Sequence, residues 1–394
     1  MVKMEIFKSN KNPEVYYYFT KKDKKLWMYR HKYYVNSGKR KEKKKSSFET
    51  EKEAIKALFE VQAALLRGEA KRIENDKLTV ADWLDIWYES EHKSWSPRTC
   101  EQREIAIRLQ MKPLLGNFKI QQLTKGIYQK KYIDELEKTY AFTTVRLLHR
   151  LFTIAINAAV EEGILSKNPL KRIAFAKEDS KNENFFTPEQ LAVFLEDVRK
   201  NENITIYNFI LLVSYTGMRC GEACGLQWKN IDSKNNTVTI ERSRGNLGVG
   251  KTKTKNSIRT IRVDADVIKQ LEIYKLWCKK KLLEFGEKLE EDTFVFISPQ
   301  TTKPIAQSLT SLAIRRIIKR TKLPKITLHG LRHTHATILL NKKLPVKVIA
   351  ERLGNTTQMI HTTYGHVLKE MEEESVAVFS QSLKSIGTKN GASS

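Results

Sequence analysis

Four side chains in three short stretches carry the chemistry that this sequence offers. Arg219 stands in TGMRCGEACGLQW, His329 and Arg332 in HGLRHTHA, and Tyr364 in LGNTTQMIHTTYGHV. Threonines, a glycine and histidines surround that tyrosine, where a packed ring would normally have aliphatic neighbours. Two guanidinium forks suit a bidentate grip on one phosphate, because arginine stays charged and its planar donors match phosphate oxygens. A tyrosine hydroxyl beside them would attack phosphorus, giving a covalent phosphotyrosyl bond that conserves the energy for later rejoining. A nearby lysine or histidine could pass a proton to the leaving oxygen. No metal is required, since the arginines carry the charge that develops on phosphorus.

Three of these residues also have a plainer reading. Arg219 and Glu222, one helical turn apart, could form an exposed ion pair worth only ~0.3–0.5 kcal/mol. His329 and His333 have a metal-ligand spacing with His335 close by, yet Gly330 stands where the general-base glutamate of HExxH would be, so zinc is not expected. Tyr364 could simply be packing.

Composition bounds the partners. The 394 residues exceed one ordinary core, and at roughly 100–200 residues per domain they imply two to four domains. The 71 Lys+Arg against 45 Asp+Glu leave a formal charge of +26, which points to a polyanion: nucleic acid first, a membrane surface second. No apolar run approaches the ~20 residues that span a bilayer, and MVKMEIFKSNKNPEVYYY has no apolar signal region, so a cytoplasmic protein without membrane partners is expected. Cys100, Cys220, Cys224 and Cys278 are too few for a disulfide framework and read as reduced thiols.

The elements that must position the four groups follow from texture. EVYYYFTKKDKKLWMYRHKYYV alternates aromatic and basic residues with period two and reads as a hairpin. The lysine run after Gly38 is either a solvated turn or part of a basic sheet. A helix around Ile55, Leu58 and Phe59 would back that sheet, and Trp27, Tyr29, Arg30, Lys32, Lys39 and Arg40 are its candidate DNA contacts. Three amphipathic helices follow, the last ended by Asn168-Pro169, and polar residues 177–184 form a linker. FTPEQ then carries a capping box, with Thr187 as cap, Pro188 at the first helical position and Gln190 three residues on. An apolar run breaks at Thr216-Gly217, and strands flank Lys251, Lys253 and Lys255. The expected architecture is multidomain α+β: a small sheet plus helix over 1–75, an all-α domain over 76–176, and a mainly helical catalytic domain with a small sheet over 177–394.

Together, and in this order, the three quoted stretches resemble the signature boxes of the tyrosine recombinases, in particular integrases of phages and conjugative transposons. The resemblance implies an arm-type DNA-binding module, a helical core-binding domain and a catalytic domain, with double-stranded DNA at core and arm sites as partner and no cofactor. It implies cleavage and rejoining through a 3′-phosphotyrosyl intermediate, by a homo-oligomer, a tetramer on DNA. An excision factor and a host DNA-bending protein could assist, at the nucleoid. By position Arg219 matches the first catalytic arginine, His329 and Arg332 the His-x-x-Arg pair, and Tyr364 the nucleophile, with His329 assisting proton transfer at the tyrosine. Lys253 best fits the lysine of the β-hairpin, with Lys251 and Lys255 as alternatives, because a one-residue register shift would exchange them. Asn355 stands where the family usually has histidine or tryptophan. It could ligate phosphate but not carry charge, and His361 is the other candidate for that place. The segment from Val376 to Phe379 could dock on a neighbouring subunit or on its own domain. A non-catalytic DNA-binding regulator and a type IB topoisomerase-like enzyme stay open, though a binder has no need of a nucleophile between phosphate clamps.

Overall fold

The computed structural model describes residues 5–34, 38–176, 184–245, 248–251, 258–365 and Phe379. The chain divides into two compact units, residues 1–179 and 180–394. Among the described residues no helix is long and apolar enough to cross a membrane.

The first unit opens with an antiparallel meander of β1 (Ile6–Lys8), β2 (Val15–Phe19), β3 (Lys25–Tyr34) and β4 (Arg40–Phe48). The lysine run is therefore a strand and not a turn. Its ladder to β3 pairs Lys32 with Glu42 and Arg30 with Lys44, while Lys41 reaches Glu74 and Lys43 reaches Asp76. Those acidic partners offset the like-charge repulsion that composition alone would predict. Helix α1 (Glu51–Leu66) starts at a capping box between Thr50 and Glu53 and lays Ala54 and Leu58 against Val15 and Tyr29. Phe59, expected on the buried face, is instead exposed. Strand alternation then sorts the candidate DNA contacts. Tyr29 is 2% exposed beneath α1, so its ring is not offered to a ligand as the sequence suggested, while Trp27 packs beside it only partly buried. Arg30 and Lys32 alternate with Tyr29 and so project from the other face, and Lys39 and Arg40 are exposed.

The rest of this unit is helical. Short α2 (Ala70–Glu74) precedes α3 (Val80–Glu91), and α4 (Pro97–Ala106) continues through a π-type turn at Ile107–Met111 into α5 (Lys112–Leu115). A helix not expected from sequence follows, α6 (Lys125–Tyr128) running through a second π-type turn, Gln129–Ile133, into α7 (Asp134–Glu137). Its lysines mask the apolar row Tyr128, Tyr132, Ile133 and Leu136, which is buried against Trp83, Trp87 and Phe152. Helix α8 (Phe142–Glu161) ends before Gly163, whose φ is +72°, and not at Asn168-Pro169 as the sequence suggested.

The second unit begins with α9 (Pro188–Asn201), capped by Thr187 and Gln190 as expected, then α10 (Ile204–Thr216) and one-turn α11 (Cys220–Cys224). Strands β5 (Ile231–Asp232), β6 (Thr237–Ile240) and β9 (Arg259–Arg262) form one antiparallel sheet, and β7 (Arg242–Gly245) with β8 (Gly248–Lys251) form a hairpin. Helices α12 (Ala265–Glu284), α13 (Gln307–Thr321), α14 (Leu328–Asn341) and α15 (Val346–Leu353) follow, and residues 357–365 are helical. One core joins α9, α10, α12 and α13 to the sheet through Phe194, Phe209, Val238, Tyr274 and Ile314. A smaller cluster of Leu340, Ile349, Leu353, Ile360 and Tyr364 holds the last helices together. The 376–379 docking segment lies outside the described residues except Phe379.

Candidate active site

Helix α10 is apolar nearly all round and buried, and it stops because Gly217 takes a left-handed φ of +63°. Only glycine fits there: a Cβ would lie 2.6 Å from Leu353 Cδ2 and 2.8 Å from His335 Cδ2. The reversal places Arg219 at the N-cap of α11, where its backbone N–H donates to Glu222 Oε2 at 2.9 Å. Helix α14 starts at its cap Thr327 and carries His329, Arg332 and His333 in its first turns. Helix α15 ends at Gly354, again left-handed with φ +62°.

Arg332 is 2% exposed. Its Nη1 donates to Gly217 O at 2.9 Å and its Nη2 to Leu353 O at 2.7 Å. Both carbonyls sit at helix C-termini, whose partial negative charge suits a cation. Burial, then the charge of Arg219, brings Arg332 down to about 9, so it stays protonated at neutral pH. Arg219 donates to Glu222 Oε1 at 2.8 Å and, through Nη2, to Asn355 Oδ1 at 2.6 Å. Glu222 is 3% exposed and also accepts from Arg259 Nη2 at 2.9 Å. Burial alone would raise its carboxyl, but Arg259 and then Arg219 hold it below the usual carboxylate range. Two guanidinium groups thus pair with one buried carboxylate while Arg332 adds a third positive charge nearby, and the surplus is what a phosphodiester would neutralise.

Behind this grip, Arg259 Nε donates to Arg352 O, and Arg352 Nε donates to His335 Nε2 at 3.0 Å. Arginine can only donate, so His335 accepts there and gives its Nδ1 proton to Ser214 O. Burial, and then the Arg352 charge, push His335 down to about 4. His333 Nδ1 lies 2.9 Å from the Tyr364 hydroxyl. Tyr364 is 4% exposed, and burial raises its phenol to about 12 although the Arg332 charge opposes this. His329 is exposed and its ring meets His333 edge-on at 4.6 Å. Partial desolvation, then His333, Arg332 and Arg219, lower its pKa.

The structure therefore gathers Arg219, Arg332 and Asn355 around the ends of α10 and α15 and sets Tyr364 and His329 either side of His333. His361 is exposed one turn from Tyr364. Lys251 ends β8, paired with Arg242, while Lys253 and Lys255 lie outside the described residues. The three histidines of HGLRHTH do not converge as metal ligands, and among the described residues no cluster could hold a metal ion. Sequence reasoning missed His333 and Arg259. The first was visible only as the residue four after His329, the second only as a charge in an alternating strand.

Three family models match the chain: an arm DNA-binding domain over 16–65, a SAM-like N-terminal domain of phage integrases over 79–136, and the phage integrase family over 184–371. An ICEBs1 integrase of Bacillus subtilis is 30% identical over 225 residues, 55% of this chain and 60% of that protein. A tyrosine recombinase XerC of Pediococcus pentosaceus is 30% identical over 221 residues, covering 55% of this chain and 68% of that one. The Tn1549 transposon integrase, solved with a circular-intermediate DNA, superposes with a TM-score of 0.64 at 22% identity, over 75% of this chain and 99% of that one.

Proposed function

The chain belongs to the tyrosine recombinase family of phage integrases, and we propose that it is a site-specific DNA recombinase serving the integration and excision of a mobile element. The observation that carries this reading is the pair of guanidinium groups, Arg219 and Arg332, fixed by carbonyl and carboxylate partners beside a tyrosine whose hydroxyl is hydrogen-bonded. Arg219 and Arg332 bind the non-bridging oxygens of a scissile phosphate, and Asn355 adds a neutral ligand. The Tyr364 oxygen attacks phosphorus, and the 5′-oxygen leaves with a proton from Lys253, or from Lys251 or Lys255. The strand's 3′-phosphate stays on Tyr364. Attack by the 5′-hydroxyl of a partner strand reverses the step on new DNA.

Each cleaved strand occupies one tyrosine, and exchanging both strands of two duplexes needs four, so the working unit is a homotetramer. Residues 1–75 bind arm sites while the domains over 76–176 and 177–394 bind the core site. An excision factor and a host DNA-bending protein set the direction, at the nucleoid in the cytoplasm.

The test is incubation with a nicked duplex carrying the site that this chain selects from a randomised pool. The strand ending in the scissile phosphate is labelled at its 5′ end. A labelled band that survives denaturing electrophoresis and shifts to protein mass is expected. Tight binding without any such band would leave a non-catalytic regulator.

A further inference from the structure

The phosphate grip makes no use of His333, yet this imidazole is the group in hydrogen-bond contact with the nucleophile. Its Nδ1 is 2.9 Å from the Tyr364 hydroxyl, and the two rings meet at 60° with centroids 5.5 Å apart. We propose that His333 accepts the Tyr364 proton during strand cleavage and returns it on rejoining, an inference that rests on the recombinase reading above.

A buried phenol stays protonated at neutral pH, so its proton must go to a base already within about 2.6–3.2 Å as the oxygen attacks. Of the three imidazoles on α14, His335 is fully engaged by Ser214 and Arg352. His329, to which the family resemblance gave this task, packs its ring on His333, and it is His333 that meets the hydroxyl. His333 can act as the base only when neutral. Half-burial and then the adjacent Arg332 charge lower its pKa and keep it so. The groups that face it are His329 and Arg332 from its own helix and Tyr364 from the helix packed against it.

The Tyr364 O–H bond breaks and its proton joins the Nδ1 lone pair; the phenol oxygen bonds to phosphorus; the bond from phosphorus to the 5′-oxygen breaks, and that oxygen takes a proton from the general-acid lysine proposed above. In rejoining, the incoming 5′-hydroxyl gives its proton to the lysine, and the leaving Tyr364 oxygen recovers its own from Nδ1. The imidazolium forms beside Arg332 only while the phosphorus centre gains negative charge, so the unfavourable cation pair is offset at the moment it appears.

The experiment compares wild type with His333→Gln, whose amide keeps a hydrogen bond to the hydroxyl but takes no proton. The substrate is the nicked duplex selected by the wild-type chain, prepared with an ordinary scissile phosphate and with sulfur in place of the bridging 5′-oxygen. A thiolate leaves without an acid, so this substitution rescues the loss of a general acid and not the loss of a base. His333→Gln should slow single-turnover adduct formation by roughly 10²-fold or more on both substrates. Wild-type rates, or rescue by sulfur, overturn the proposal while the wild-type adduct keeps the recombinase reading intact. Absence of adduct from the wild-type chain overturns both. Should His333→Gln not fold, imidazole 15N spectra of the wild type decide. An unprotonated Nδ1 on His333 that shifts in Tyr364→Phe is expected, and a signal unmoved by that change contradicts the assignment.

Discussion

Arg219 Nη2 and Asn355 Oδ1 lie 2.6 Å apart although 136 positions separate them in the chain. Because arginine has no acceptor, this contact fixes the amide orientation: the carbonyl faces Arg219, and only the N–H groups of Asn355 can meet a phosphate. Asparagine at this position therefore braces Arg219 and leaves its amide N–H groups to serve as the neutral donor of the proposed mechanism.

Asn355→Ala should slow adduct formation about 10-fold, the worth of one neutral hydrogen bond. Arg332→Ala should slow it by ~10²–10³, as loss of a charged transition-state ligand does. Asn355→His should retain activity, since an imidazole can accept from Arg219 on one nitrogen and donate from the other. Single-turnover cleavage by the three variants checks this, and equal damage from the two alanines would give Asn355 a larger role than a neutral ligand has.

Glu222 is the carboxylate on which Arg219 and Arg259 converge. Glu222→Gln leaves two cations without their shared anion, and denaturant unfolding of the second unit should register a loss of about 3–5 kcal/mol. A loss below ~1 kcal/mol would mean that the carboxylate does not organise the site.

The Arg219–Glu222 spacing was legible in the sequence, but its weight was not. An i, i+3 pair looks like a solvated surface contact until the fold brings Arg259 to it from 37 residues away and buries the carboxylate. The same contrast runs through the molecule. The Thr216-Gly217 break, the Thr187 cap and the placement of His329 and Arg332 on a helix start are local properties, and local spacing revealed them. His333 against Tyr364, and Arg352 against His335, depend on how the last helices pack, which no period encodes. The strand 40–48 and the helix through Lys125–Glu137 were obscured for one reason: lysines on the solvent side outweighed the residues that pair or pack.

His335 supplies a pH dependence. Its pKa in the folded chain is about 4, below the ~6.5 of an unfolded histidine, so the unfolded state binds more protons between those values. Its contribution is complete above pH ~6.5 and is lost as pH falls toward 4. Unfolding midpoints of the second unit should decline over that window, and His335→Gln, which can still bridge Ser214 and Arg352, should flatten the decline. An unchanged slope would mean that His335 titrates normally.

The sheet of the first unit separates packing from binding. Tyr29→Ala should cost about 3–5 kcal/mol of stability, as removal of a buried aromatic ring does. Arg30→Ala with Lys32→Ala should leave the melting temperature nearly unchanged but weaken DNA binding, and the salt slope should shrink by ~0.9 for each phosphate no longer neutralised. A salt slope identical to that of the parent would move the arm-site interface off this face.

The central claim is that Tyr364 becomes covalently bonded to DNA. Its most direct test is to trap the adduct on the selected nicked duplex, digest it with nuclease and protease, and identify the nucleotide-bearing peptide by mass spectrometry. The account predicts a 3′-phosphonucleotide on the peptide containing Tyr364, and none in Tyr364→Phe. A nucleotide on any other residue, or an undiminished adduct in Tyr364→Phe, would contradict it.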